Sequence, residues 1–198
     1  SYGYDAQVPN LANTPQNIAT SNYVAVAGTS DSTTPALQVD VYFPGCKPTG
    51  LTYENSRNGV RDITDGSSNT ALIGERGWGW GGNGRIFGAG TALGFSETMD
   101  AVIAQGAKGG SMNVWAIGYD GINTTVNGIH DRRGFGSRHP GGCHFVLADG
   151  AVRFISQNID YQKLSVTAAP TTSYPANCVQ STFARLLTYW DGQAIGDF

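Results

Sequence analysis

The sequence has few charged residues, few cysteines and no long apolar run. Charged residues make up 14% of the 198, the formal net charge at pH 7 is −3, and no run of Lys or Arg is longer than Arg132-Arg133. Nucleic acids and anionic membrane surfaces are bound by clustered basic side chains, so we expect neither as a partner. A membrane-spanning helix needs about 18 or more apolar residues in a row. Because the sequence holds no such run, we expect no direct membrane insertion by this chain.

The three cysteines, Cys46, Cys143 and Cys178, lie far apart in the sequence. None of them forms a C-x-x-C pair, which is the spacing typical of zinc sites and thioredoxin-like sites. One disulfide with one cysteine left over is compatible with this number, and the spacing does not indicate which two cysteines would pair.

Glycine, in contrast, is abundant with 28 residues, and Thr, Ser and Asn are frequent. This composition favours strands and turns, because helices would require more Leu, Ala, Glu and Lys. We therefore predict a β-rich α+β fold. Residues 1–20 are polar and contain two prolines, so we expect them to be irregular, and we expect residues 21–198 to form a single domain. The scarcity of Lys and Glu also indicates an exported protein, located at the cell surface, outside the cell or in the periplasm.

The strongest local signal is a β-hairpin around Asp149-Gly150. Two apolar runs, 143–148 and 151–156, flank this pair, and Asp-Gly suits the positive φ angles of a two-residue hairpin turn. A turn of that length predicts a core-facing surface made of two cross-strand pairs, Leu147 with Val152 and Phe145 with Phe154.

Shorter patterns predict further elements. The predicted strands cover residues 23–27, 37–43, 70–75 and 112–119, and the predicted helices cover 96–108 and 179–189. Asp65-Gly66 forms a turn before the strand at 70–75. Asp62 and Asp65 could bind calcium, but the loop lacks the ligand spacing of an EF-hand. A turn capped by these side chains is therefore the favoured interpretation.

Residues 78–90 form a glycine-rich segment that carries Trp78, Trp80 and Phe87. No G-K-[ST] sequence follows, so the segment does not resemble a phosphate-binding loop. Its aromatic side chains either cover the edge of the core or form an interface, where aromatic residues are enriched. Stacked aromatic rings also hold the flat faces of sugars. The alternative function is therefore an extracellular carbohydrate- or ligand-binding module that uses the Trp78/Trp80 loop.

Catalytic residue types are concentrated around His139 and His144. Ser137 and Cys143 are nearby nucleophile candidates, but the chain has no G-x-S-x-G elbow, and neither candidate has a third group that would orient its base. The two histidines flank Pro140-Gly141-Gly142 and could converge on a metal, although no helix or strand spacing enforces this. We therefore predict no catalytic residue, no metal and no cofactor.

Several segments together resemble a known family. They are SNYVAVAGT at 21–29, RDITDGSSNTALIGE at 61–75, HPGGCHFVLADGAVRFI at 139–155 and LLTYWDGQAIGDF at 186–198. In the third segment, His139 precedes Asp149-Gly150 with the spacing H-x9-DG. The sequence resembles the prepilin-like family abundant in planctomycetes and named for this motif.

The resemblance implies an antiparallel-sheet head of the type IV pilin or type II secretion pseudopilin kind, with long loops, one or two short helices and no enzymatic activity. In that family a cleaved leader and a long apolar helix precede the head. The sequence shows neither, so we expect it to correspond to a headpiece. The implied role is structural, in a cell-surface or extracellular filament or secretion system, and the implied partners are other pilin-like subunits or further copies of the chain. The motif residues are expected to be structural, with His139 at the base of the hairpin, Asp149 and Gly150 in its turn, and Asp65 and Gly66 in the earlier turn.

Overall fold

The computed structural model describes residues 6–9, 15–18, 20–29, 49–53, 56–77, 89–90, 115–118, 121–124, 134–162, 179–193, 195 and 198. The strands of this part are β1 (Ala6–Pro9), β2 (Pro15–Ile18), β3 (Thr20–Ser21), β4 (Tyr23–Gly28), β5 (Ala71–Glu75), β6 (Ala89–Gly90), β7 (Trp115–Ile117), β8 (Gly142–Leu147) and β9 (Val152–Ser156). Its helices are α1 (Thr182–Leu186) and two 3-10 turns, Val60–Asp62 and Ser67–Asn69. None of the helices in the described ranges has the length and apolar character needed to cross a membrane.

Five strands form the central sheet in the order β7-β4-β5-β8-β9. The pair β4–β7 is parallel, and the other neighbours are antiparallel. The predicted β-rich α+β class is confirmed, and the sheet is mixed rather than purely antiparallel because of β7.

The prediction of irregular structure over residues 1–20 is wrong where β1 and β2 pair with each other. Their antiparallel register runs from Ala6 opposite Ile18 to Pro9 opposite Pro15. Both prolines therefore stand at strand ends beside the connection, where a missing N–H interrupts no ladder.

The β8–β9 hairpin is present, but its turn is one residue longer than predicted. The Leu147 N–H donates to the Ala151 carbonyl at 2.8 Å, and the Gly150 N–H donates to the Leu147 carbonyl at 2.9 Å, so the loop comprises residues 148–150. Gly150 has a φ of +88°, whereas Asp149 does not adopt a positive φ. A two-residue type I′ turn requires positive φ at both central residues, but the three-residue loop requires it only at the glycine.

The extra loop residue shifts the pairing of β9 by one position and exchanges its two faces. His144 consequently lies opposite Phe154. The predicted pairs and core face are therefore wrong for β9, since Val152 and Phe154 are 61% and 45% exposed and Ile155 is buried instead. The β8 half of the predicted face is buried as expected, at Phe145 and Leu147.

The core lies on the inner face of the sheet and is built around three phenylalanine rings. The ring of Phe145 lies 4.9 Å from that of Phe135 and 6.1 Å from that of Phe183, measured between centroids. Gly74 on β5 makes room for them, because a Cβ there would lie 2.5 Å from the Phe135 ring. Helix α1 supplies Phe183. Ser181 is its N-cap residue, and the Ser181 hydroxyl accepts the backbone N–H of Ala184. Each buried ring contributes about 1.5–3 kcal/mol of hydrophobic free energy.

The remaining predicted elements are confirmed in part. The predicted strands at 23–27 and 70–75 correspond to β4 and β5, and β7 lies within the predicted strand at 112–119. Helix α1 is shorter than the predicted helix because the Tyr189 N–H donates to the Thr49 carbonyl and not to a helical one. Two predicted elements lie outside the described residues, the strand at 37–43 and the helix at 96–108.

Candidate metal centre

Glu75 and His144 meet on the outer face of the sheet. Gly74 on β5 pairs with Phe145 on β8 in an antiparallel ladder, so the next residues, Glu75 and His144, also lie opposite each other. Because side chains alternate along a strand, both point away from the core face that Phe145 occupies. The backbone N–H of His144 donates to Glu75 Oε2 at 2.6 Å, and His144 Nδ1 lies 3.2 Å from the same oxygen.

His139 joins this pair from the turn that precedes β8. Its Nε2 lies 3.5 Å from Glu75 Oε1, and its ring centroid lies 5.0 Å from that of His144. The candidate ligand atoms of Glu75, His139 and His144 all lie within 4.8 Å of one another. Among the described residues, these three form the one cluster of His, Cys, Asp or Glu side chains that could hold a metal ion. We call these three residues the His-Glu cluster.

Ser137 fixes the turn that carries His139. Its Oγ donates to the Gly142 carbonyl at 2.8 Å and accepts the His139 N–H at 3.0 Å, and its own N–H donates to Asn123 Oδ1 at 2.8 Å. Gly141 has a φ of +83°, a conformation that glycine adopts readily, and there the chain turns into β8. The structure thus places His139 at the open end of the hairpin, away from Asp149 and Gly150.

The two nucleophile candidates are not arranged beside a histidine base. The Ser137 hydroxyl is buried and makes the two hydrogen bonds of the turn. Cys143 is a free, buried cysteine, and it lies on the opposite face of β8 from His144 because the two are consecutive strand residues. Burial, and then the charge of Glu75, raise the pKa of the Cys143 thiol far above its ordinary value, so the thiol stays protonated at neutral pH.

Glu75 is a carboxylate held mostly out of water, with a side chain that is 10% exposed. Its two carboxylate oxygens contact the rings of His139 and His144. The neighbouring Arg76 donates hydrogen bonds to two backbone carbonyls. Its Nε donates to the Gly134 carbonyl and its Nη2 donates to the Trp115 carbonyl, both at 3.0 Å.

Asp149 and Gly150 lie at the far end of the hairpin. They lie against the turn formed by residues 65–69, which we call the D-G-S-S-N turn. Asp149 Oδ1 accepts the Ala151 N–H at 2.9 Å, and the Asp149 N–H donates to the Ser67 carbonyl at 3.1 Å. Asp62 Oδ2 accepts the Gly59 N–H at 2.7 Å and caps its own turn.

Asp65 contacts the C-terminal segment, more than a hundred residues away in sequence. Its carboxylate oxygens accept the N–H groups of Asp191 at 2.8 Å and Gly192 at 2.7 Å. Gly66, the next residue, has a φ of +92°. Burial of Asp191, and also the negative charge of Asp65, raise the pKa of Asp191 to about 6.

The sequence patterns do not single out Glu75, which is only the last residue of the predicted strand at 70–75. It belongs to the segment 61–75 that carries the family resemblance, and this was the one signal that could have identified it. Its contact with His144 spans 69 residues and depends on the pairing of β5 with β8. The predicted interface residues Trp78, Trp80 and Phe87 lie outside the described residues.

A family model described as "Protein of unknown function (DUF1559)" matches residues 15–162, which is more than half of the chain and includes the whole His-Glu cluster and the β8–β9 hairpin. The curated proteins and the solved structures contain no match. The chain therefore belongs to the DUF1559 family.

Proposed function

We propose that this chain is the head of an exported, non-enzymatic structural protein of the pilin or pseudopilin type. Its role is assembly in a cell-surface or extracellular filament or secretion system, and its partners are other pilin-like subunits or further copies of itself. The resemblance of four segments to the pilin-like family supports this proposal, and so does the match of residues 15–162 to the DUF1559 family model.

The contacts of the motif residues support a structural role. Three of the segments that resemble the family are joined by hydrogen bonds. The Ala148 N–H donates to the Thr70 carbonyl, and the N–H groups of Asp191 and Gly192 donate to the Asp65 carboxylate. These residues hold the hairpin, the D-G-S-S-N turn and the C-terminal segment together. A subunit of an assembly must keep its conformation, because the surfaces that contact other subunits depend on that conformation.

The proposal is tested by locating the native protein in the cells that produce it. Antibodies against the 198-residue chain would be applied to cytoplasm, envelope, culture medium and material sheared from the cell surface, before and after chemical cross-linking. We expect the protein in the envelope or sheared fraction, cross-linked to pilin-like subunits or to itself, while a cytoplasmic marker enzyme stays in the cytoplasm. A cytoplasmic location, or a free monomer in the medium with no cross-linked partner, would contradict the proposal.

A further inference from the structure

We propose that the His-Glu cluster binds one divalent transition-metal ion, with zinc as the reference ion. Glu75, His139 and His144 supply one carboxylate oxygen and two imidazole nitrogens. This site goes beyond the proposed structural function and does not depend on it.

The ligand atoms of the cluster lie within 4.8 Å of one another, close to the spacing of metal ligands. Zinc bonds of about 2.0–2.1 Å place the ligands of a tetrahedral site about 3.3–3.4 Å apart. The two imidazole-to-carboxylate distances are 3.2 Å for His144 and 3.5 Å for His139. The second distance is beyond the range of about 2.7–3.2 Å that is usual for an N–H···O hydrogen bond. Small side-chain movements would therefore bring all three ligand atoms around one ion.

The charge of Glu75 also favours a cation at this position. A carboxylate withdrawn from water is destabilised unless it is paired and hydrogen-bonded. The backbone N–H of His144 gives Glu75 one hydrogen bond, at 2.6 Å. A divalent ion would place positive charge beside this carboxylate and engage both rings.

The ligands are held by the sheet and by the turn before β8. His144 lies on β8, where its ring contacts that of Phe154 at a centroid distance of 5.1 Å, and Glu75 ends β5. Ser137 holds the backbone of His139. Such supporting contacts fix ligand orientation and strengthen metal binding. The side chains of His139 and His144 are 54% and 38% exposed, so an ion can enter from solvent and water can complete its coordination.

The donor set selects the class of metal. Imidazole nitrogen suits zinc, copper, iron and nickel, whereas calcium and magnesium prefer sites made entirely of oxygen ligands. Two histidines and one carboxylate therefore favour a transition ion over the alkaline-earth ions.

The test is a metal titration of the 198-residue chain without a polyhistidine tag, after treatment with a chelator. Calorimetry with Zn²⁺ measures stoichiometry and affinity, and Co²⁺ provides a visible absorption spectrum that reports its ligands. We expect one equivalent of Zn²⁺, preference over Mg²⁺ and Ca²⁺, and a higher Tm with zinc, because a ligand that binds the folded state stabilises it.

Variants separate coordination from folding. Glu75→Gln and His139→Ala should each weaken zinc binding by at least about tenfold and abolish the zinc-dependent rise in Tm. His139 is half exposed, so His139→Ala should fold even if Glu75→Gln does not. Val152→Ala is the matched control, since it truncates an exposed side chain of the same hairpin that does not belong to the cluster. Its affinity for zinc should stay within a few-fold of the wild type.

Three results would overturn the proposal. They are the absence of saturable zinc binding, an unchanged affinity in His139→Ala, and an equal loss of affinity in Val152→Ala and His139→Ala. A preference for Ca²⁺ or Mg²⁺ over Zn²⁺ would contradict the assigned class of metal.

Discussion

At the scale of single residues, Gly150 supplies the positive φ angle that the hairpin turn requires. Its φ is +88°, and a Cβ at this position would meet no atom within 4 Å, so a substitution acts through the backbone and not through a clash. We predict that Gly150→Val lowers the free energy of unfolding by about 1–3 kcal/mol, because β-branched residues rarely adopt a positive φ. Gly150→Asn should have a smaller effect, because asparagine tolerates this conformation. Urea denaturation compares the two variants, and equal losses would contradict the turn assignment.

Asp191 gives the molecule a defined pH dependence of stability. Its folded-state pKa is raised from 3.8 to about 6, so the folded protein holds this proton more tightly than the unfolded chain does. The resulting stabilisation is fully present below about pH 4 and is lost as the pH rises through about 6. Asp191→Asn removes this titration. We therefore predict that the free energy of unfolding of this variant rises relative to that of the wild type as the pH increases from about 4 to about 6. Thermal unfolding across that range measures the difference, which would stay constant if the pKa were not raised.

At the scale of elements, the register of β9 decides which side chains enter the core. Ile155 is 1% exposed and Phe154 is 45% exposed. We predict that Ile155→Ala lowers the free energy of unfolding by about 2–5 kcal/mol, because it leaves a cavity in the core. Phe154→Ala should cost about 1 kcal/mol or less, as is usual for exposed positions. A two-residue turn would reverse this order, so chemical denaturation of the two variants distinguishes the registers.

The hairpin also shows how much the sequence can predict. Apolar runs on both sides of Asp149-Gly150 locate β8 and β9, because alternation and turn residues are local signals. The length of the turn is not a local signal, since Asp-Gly serves both two-residue and three-residue loops, and this length decides the face of Phe154. The His-Glu cluster was less predictable still. Glu75 reaches His144 only because β5 pairs with β8, and no pattern within either strand specifies that pairing.

At the scale of the whole molecule, Cys143 reports on the opening of the core. Its side chain is buried in β8, and it is paired across the ladder with Ile155. We predict that an excess of thiol reagent labels Cys143 in the native protein only through unfolding, far more slowly than in urea. Gly150→Val should accelerate this labelling by about tenfold for each 1.4 kcal/mol by which it lowers the free energy of unfolding. Peptide mass spectrometry measures the rate, and rapid labelling of the native protein would contradict the burial of Cys143.

The proposed pilin-like role is tested most directly at the N-terminus of the native protein. Mass spectrometry of the protein isolated from its own cells would identify its first peptide and any modification there. We predict a processed, methylated N-terminus on a long apolar helix that continues into this domain. A secretory leader removed by ordinary cleavage, with no apolar helix before the domain, would contradict it.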